Sequence, residues 1–297
     1  MHIHYIGLGK MGRNMVERLL ETGHTVTAFD TSKEAREAAT ATGATIAPSI
    51  EELLTKGDTP RTVWLMVPHT VVGEVLDELV PHLEAGDTII EGGNSPYQQT
   101  IERARAITEM GINFLDAGVS GGPGGARNGA CIMVGGNERV YAQYETLFKD
   151  LSVSGGYLYA GKSGAGHFVK MVHNGIEYGM MQALAEGFDV LRTSDFNLPL
   201  TDVAELYNHG SVIESRLVGW LKDGYEEYGE DLAGITGSAA ASGEGKWTVE
   251  TAKKLSVPAP VIADALRVRE ESQKKPTYQG QVLSVMRNQF GGHSTSA

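Results

Sequence analysis

Only one cysteine, Cys131, occurs in 297 residues. That excludes a disulfide framework and any metal site built from thiolates. Positive charge is also scarce: 25 lysines and arginines face 37 aspartates and glutamates, a formal charge of −12. This balance argues against nonspecific binding to nucleic acid or to an anionic membrane, although a few arginines can still shape a pocket for a small anion. No uncharged run reaches membrane-spanning length. The chain enters a strand pattern at once ("MHIHYIGLG"), leaving no room for a signal peptide, so a cytoplasmic protein is expected. What is plentiful is glycine, with 38 residues, which points to tight turns and close backbone approaches. Length predicts about two domains, and 41% hydrophobic residues suffice for sizeable cores.

The first half alternates strand and helix patterns. Strands are expected over His2–Ile6, Val26–Asp30, Val63–Val67, Thr88–Glu91, Phe114–Ala117, Cys131–Val134 and Tyr157–Tyr159. Helices are expected over Met11–Glu21, Lys33–Ala41, Val71–Leu79, Gln98–Met110 and Glu138–Phe148. This alternation predicts a Rossmann-type α/β domain with a parallel-rich sheet. After "LYAGKSGAGH" the pattern turns to long helices: Lys170–Arg192, then Thr201–Leu221, Trp247–Leu255, Pro260–Glu271 and Gln279–Asn288. The expected domains are therefore residues 1–162 and an all-α domain of residues 163–297, with "GGHSTSA" as a flexible tail on composition.

"HYIGLGKMG" sets Gly7, Leu8, Gly9, Lys10, Met11 and Gly12 in a G-x-G-x-x-G frame between a strand and a helix. The frame allows a tight turn, a backbone that can touch a pyrophosphate, and a helix N-terminus facing its charge. Asp30 closes the second strand, where a carboxylate accepts both ribose hydroxyls and repels a 2′-phosphate. A strand-end aspartate can instead cap the next helix. NAD is expected, with Lys33 leaving NADP as a weaker alternative. At later strand ends, Met66, Val67 and Pro68 can line the cofactor, and Asn94 can meet a carboxamide or a sugar hydroxyl, or cap the following helix. In "DAGVSGGPGGARNG", Ser120, Gly121 and Gly122 can offer a hydroxyl and unhindered N–H groups to a carboxylate from a glycine-rich loop.

The stretch "KMVHNGIEY" is unusual. Lys170, His173, Asn174, Glu177 and Tyr178 share one helical arc of roughly 140°, while Val169, Met171, Val172, Ile176 and Met180 cover the rest. Such a polar arc on an otherwise apolar helix should line a cleft. Partial burial would bring Lys170 toward neutrality as a base and make Glu177 an acid. A metal reading is weak: His173 and Glu177 lack a third ligand, and Lys170 would repel the ion.

"GAGHFVKMVHNGIEYG" resembles the substrate-helix signature of 6-phosphogluconate dehydrogenase, the decarboxylating enzyme of the pentose phosphate route. "GLGKMG", "IIEGGNSPY", "VSGGPGGARNG", "GKWT" (Gly245–Thr248) and "MRNQFGGH" resemble further segments in the same order, over nearly the whole chain. The resemblance implies that Lys170 takes the 3-hydroxyl proton while hydride leaves C3, then returns a proton to the carbonyl oxygen as CO2 departs. Glu177 is implied as the acid that protonates C1 of the enediol, giving ribulose 5-phosphate. Asn94, Ser120, Gly121, Gly122, His173 and Asn174 are implied to hold the carboxylate and hydroxyls of this phosphorylated sugar acid. Tyr178, Arg269 in "LRVRE", Arg287 and His293 are implied to hold its phosphate. In the family the last two come from a partner subunit, so a homo-oligomer is expected, its C-terminal tail completing the partner's active site.

Two departures matter. Longer members carry a phosphate-contacting lysine before "GKWT", where this chain has Ser242, and NADP users carry an arginine where it reads "FDTS". The chain looks like a short, NAD-preferring form. A β-keto acid decarboxylates readily once its carbonyl oxygen is protonated, so no metal is required. The nearest alternative is another β-hydroxyacid dehydrogenase, such as one acting on 3-hydroxyisobutyrate. Those relatives share the glycine frame and the lysine but lack the combined His173-Asn174, Glu177-Tyr178 and Arg287…His293 set.

Overall fold

A computed structural model describes residues 1–241 and 243–296. The chain divides into two compact units, Met1–Met171 and Val172–Ala297. The first unit runs β1 (His2–Ile6), α1 (Lys10–Glu21), β2 (Thr25–Phe29), α2 (Lys33–Thr40), β3 (Thr45–Ile46), α3 (Ile50–Leu53), β4 (Thr62–Leu65) and α4 (Val72–Leu79). It continues through β5 (Thr88–Glu91), α5 (Tyr97–Thr108), β6 (Asn113–Ser120), α6 (Gly122–Asn128), β7 (Ala130–Gly136), α7 (Glu138–Leu151) and β8 (Ser152–Gly161). Helix α8 (Ala165–Thr193) begins in the first unit and continues into the second. There α9 (Leu200–Tyr207), α10 (Arg216–Tyr228), α11 (Gly243–Lys254), α12 (Pro260–Ser272) and α13 (Tyr278–Gly291) complete an all-helical unit.

The eight strands form one sheet in the order β3-β2-β1-β4-β5-β6-β7-β8. Every neighbouring pair is parallel except β6 and β7. The chain winds outward from β1 to β3, then returns to place β4 on the other side of β1. That reversal opens a crevice at the C-terminal ends of β1 and β4. The central strands are buried on both faces, and "TVWL" and "TIIE" are buried at every position. Successive residues still split by period two: Tyr5, Trp64 and Ile90 join Met15, Leu19 and Phe148 on one side, while Ile6, Val63, Leu65 and Ile89 join Leu76 and Ile107 on the other. The second unit has its own core of Met181, Phe188, Leu221, Tyr225, Val282, Leu283 and Met286. Among the described residues no helix is long and apolar enough to cross a membrane.

Several local expectations need correction. The span Thr201–Leu221 is two helices, because Gly210 turns the chain at φ +77° and Ser215 starts α10 by accepting from the Val218 amide at 3.3 Å. The glycine-rich segment after Ser120 is largely helical, as α6, rather than a loop. Strand β8 spans ten residues instead of three, with register shifts against β7. The tail is tied to its own unit: Gly292 closes α13 at φ +61°, Asn288 Nδ2 donates to the His293 carbonyl at 2.8 Å, and the Thr236 amide donates to the Thr295 carbonyl at 2.8 Å. Ser242 lies outside the described residues.

Candidate active site

The glycine frame sits at the sheet's switch point, and each glycine has a separate reason. Gly7 adopts φ +103°, and a Cβ there would lie 2.3 Å from the Met66 carbonyl oxygen. A Cβ on Gly12 would lie 1.9 Å from the Gly7 carbonyl oxygen, so α1 must pack directly on the turn. Gly9 differs. Its φ of −62° suits any residue, and a Cβ would meet no protein atom within 4 Å. Protein packing does not require a glycine at that position. The bare backbone leaves room for a pyrophosphate at the start of α1, which has no side-chain cap. The residues therefore fit a dinucleotide.

Asp30 follows β2 and is oriented by two backbone donors: the Leu8 amide at 2.6 Å and the Ser32 amide at 2.7 Å. The cap of α2 is Ser32, which accepts from the Ala35 amide, so Asp30 is not that cap. Arg36, which the sequence reading passed over, directs Nη1 to the carbonyls of Asp30 and Thr31 at 2.5 and 3.1 Å. Lys33 pairs with Glu37 at the surface. Met66 and Val67 follow β4 half-buried, with Pro68 exposed beside them. A Cβ on Gly93 would lie 2.6 Å from the Val67 carbonyl oxygen. That close approach sets where exposed Asn94 emerges. The cap position of α5 falls to Pro96, without a side-chain hydrogen bond, so Asn94 does not fill it. Below this turn, buried Glu91 accepts from Ser95 and pairs with Arg103 at 3.2 Å, a support the sequence reading missed.

Strand β6 brings its candidate groups to the same edge. Ser120 ends the strand half-buried, and Gly121 and Gly122 follow at φ +129° and +63°, which favours glycine at both. Two residues before Ser120, a Cβ on Gly118 would lie 2.3 Å from Cβ of Lys170. The lysine stem thus rests on bare backbone, and the residue is 7% exposed. Two residues earlier still, Asp116 is fully buried and its carboxylate accepts from the Gly164 and His167 amides at 2.7 and 2.9 Å.

Along α8, the expected polar arc is not a solvated face. Lys170 and Tyr178 are buried and His173, Asn174 and Glu177 half-buried, whereas apolar Val169, Ile176 and Met180 are exposed. In the second unit, His173 Nδ1 lies 2.9 Å from Asn174 Oδ1 and 3.9 Å from Glu177 Oε2. The "GKWT" segment opens α11 and packs on α8 through two glycines: a Cβ on Gly245 would meet the Tyr178 ring at 2.5 Å, and one on Gly175 would meet Thr248 at 2.5 Å. Over the Tyr178 ring, 3.5 Å from its centroid, lies the guanidinium of Arg269.

Arg269 is 2% exposed. Its Nη2 contacts the Met181 sulfur at 3.4 Å, and its Nε has no hydrogen-bond partner among the described residues. Burial pushes its pKa down to about 10; Arg287 adds same-sign repulsion, while Tyr178 and Glu177 partly offset both. Arg287, on α13 in the same unit, is also lowered by burial, an effect that Tyr178, Glu177 and Glu244 oppose. Helix α13 packs closely on α10, where a Cβ on Gly224 would meet Val285 at 2.6 Å. His293 stands edge-on to Phe290 at 6.2 Å. Two clustered, poorly compensated guanidinium groups suit a bound dianion. Among the described residues no group of three or more His, Cys, Asp or Glu side chains is arranged to hold a metal ion.

A glycine-framed helix N-terminus at the switch point, with a buried lysine beside the same sheet, defines a nicotinamide-dependent oxidoreductase. Residues 2–161 match the NAD binding domain of 6-phosphogluconate dehydrogenase, and residues 166–291 match the C-terminal domain of 6-phosphogluconate dehydrogenase. The chain belongs to the decarboxylating 6-phosphogluconate dehydrogenase family. It is 47% identical over 295 residues to the Bacillus subtilis protein YqeC, which is named as a 6-phosphogluconate dehydrogenase, covering 99% of each chain. It is 39% identical over 298 residues to the NAD(+)-dependent, decarboxylating 6-phosphogluconate dehydrogenase of Haloferax volcanii, covering 100% of this chain and 99% of that one. Among solved structures, the 6-phosphogluconate dehydrogenase of Plasmodium falciparum, studied with NADP+ and with 6-phosphogluconate, superposes with a TM-score of 0.82 at 29% identity. That match covers 93% of this chain and 62% of the Plasmodium chain.

Proposed function

We propose that this chain converts 6-phosphogluconate to ribulose 5-phosphate and CO2, using NAD as oxidant. The observation that carries the reading is Arg269: a buried cation stacked on Tyr178, on the same helix that bears Lys170. In this reading Gly7 to Gly12 hold the pyrophosphate, Asp30 the adenosine ribose, and Met66, Val67, Pro68 and Asn94 the remaining cofactor edge. NAD, when held there, would supply the acceptor for the hydride that leaves C3. Lys170 takes the proton of the 3-hydroxyl as that bond forms a carbonyl. It then returns a proton to the carbonyl oxygen, which lets the C1–C2 bond release CO2 and leave an enediol. Glu177 supplies a proton to the carbon that lost CO2 while Lys170 takes back the proton of the neighbouring hydroxyl, and the enediol becomes the ketose. Ser120, Gly121, Gly122, Asn94, His173 and Asn174 orient the carboxylate and hydroxyls, and Tyr178, Arg269 and Arg287 hold the phosphate. Residues 1–162 serve the cofactor and 163–297 the substrate and the contacts of a homo-oligomer, to which His293 and the tail contribute.

A substrate panel tests this: 6-phosphogluconate should exceed gluconate and 3-hydroxyisobutyrate in kcat/KM by at least about 10²-fold, the scale set by a buried charge pair. A preference for 3-hydroxyisobutyrate would assign the chain to the other branch of the superfamily. For the cofactor, Asp30→Ala should cut the NAD-to-NADP ratio of kcat/KM by about tenfold to a hundredfold, the scale of hydrogen bonds to a charged group. An unchanged ratio would remove Asp30 from the ribose.

A further inference from the structure

We propose that Asp116 is a positioning residue for Lys170, acting through the first turn of α8; the inference rests on the reading of Lys170 as the base. Asp116, Gly118 and Ser120 lie at i, i+2 and i+4 of β6 and so point to one face of the sheet. The three do different things along that face. Asp116 grips α8 with both carboxylate oxygens, one on the Gly164 amide and one on the His167 amide. Gly118 seats the Lys170 stem, since any Cβ there would collide with it. Ser120 stands next in line, where the substrate carboxylate is proposed to bind.

The grip is close because glycine backbone surrounds it. A Cβ on Gly135 of β7 would lie 2.6 Å from Asp116 Oδ1, and one on Gly166 would lie 2.4 Å from the Met133 carbonyl oxygen. His167 adds a second tether, its Nδ1 lying 2.8 Å from the Thr100 hydroxyl of α5. Both tethers lie within six residues before Lys170, less than two helical turns, and α8 runs unbroken from Ala165 through Lys170. A carboxylate is the right group for this place. It satisfies two orphan amides of a buried helix start, and its charge complements the positive end of the helix dipole. A buried carboxylate is expensive unless it has such partners, and these two amides account for one acid within the apolar run "FLDAGV". The strand thereby acts as a ruler, fixing the distance from the base to the carboxylate site.

The test is a primary deuterium isotope effect on kcat/KM, using 6-phosphogluconate labelled at C3. Asp116→Asn keeps the shape of the side chain but turns an NH2 toward one of the amides. We expect kcat to fall about tenfold to a hundredfold, the scale of a small misplacement of a reacting group. The isotope effect should rise, because hydride transfer with a displaced base becomes more fully rate-limiting, while the KM for NAD stays within about twofold. If Asp116 serves stability alone, fewer molecules are active but each is normal, so the isotope effect stays at the wild-type value; that result overturns the proposal. Gly118→Ala pushes the lysine stem from the same strand and should raise the isotope effect as well. It decides the matter if Asp116→Asn is insoluble, and a wild-type isotope effect there is equally fatal. Wild-type enzyme that does not turn over 6-phosphogluconate would instead sink the reading of the function.

Discussion

Replacing Arg269 with methionine is expected to raise the KM for 6-phosphogluconate by about 10²-fold or more, with no loss of thermal stability. The two halves of this expectation have one cause. A cation whose folded-state pKa is depressed destabilises the fold at every pH below that value, and here burial pushes it down to about 10. At neutral pH that penalty is fully present, and it is relieved only as pH rises through the shifted value. Methionine fills similar space and removes the buried charge, so the melting temperature should hold or rise. In the proposed reading a bound phosphate dianion offsets the same penalty in the wild type. Saturating 6-phosphogluconate should therefore raise the wild-type melting temperature and leave that of the variant nearly unmoved. Gluconate, lacking the phosphate, should be used by the two proteins with similar kcat/KM. A variant that melts lower yet keeps its KM would make Arg269 a structural cation instead.

Lys170→Met should remove about 10² to 10⁴ of kcat, the range for loss of a general acid–base group. Methionine keeps the linear stem that rests on Gly118, so the fold and the affinity for NAD should survive. Cofactor titration by fluorescence together with steady-state rates separates these effects. A variant that retains normal kcat cannot have lost its base, and the role would pass to another group on α8. Arg269→Met and Lys170→Met thus fail differently: one loses the grip on the phosphate, the other the chemistry.

Legibility from sequence followed local pattern closely. The glycine frame declares itself because its spacing, its preceding strand and Asp30 all lie within thirty residues. The polar arc of α8 is equally visible, since five polar side chains at helical spacing contradict an apolar helix, and the fold indeed turns Lys170 and Tyr178 inward. Supports that join distant segments were not legible. Asp116 meets Gly164 and His167 about fifty residues away, and nothing in "FLDAGV" says which amides it will satisfy. A hint was present, because a carboxylate inside a buried strand must find donors. Arg36 sits in an ordinary amphipathic helix, and its turn toward the Asp30 carbonyl depends on where α2 starts. The "GKWT" segment gained a physical role only when Gly245 and Thr248 were seen against Tyr178 and Gly175. The break between α9 and α10 was masked by apolar residues that continue a helical period across Gly210.

The central claim is an oxidation that ends in loss of carbon dioxide. The most direct measurement follows NADH and CO2 together as wild-type protein consumes 6-phosphogluconate labelled in its carboxyl carbon. The account predicts one CO2 for each NADH, with ribulose 5-phosphate as the remaining product. NADH formed without CO2, leaving a stable keto acid, would contradict it.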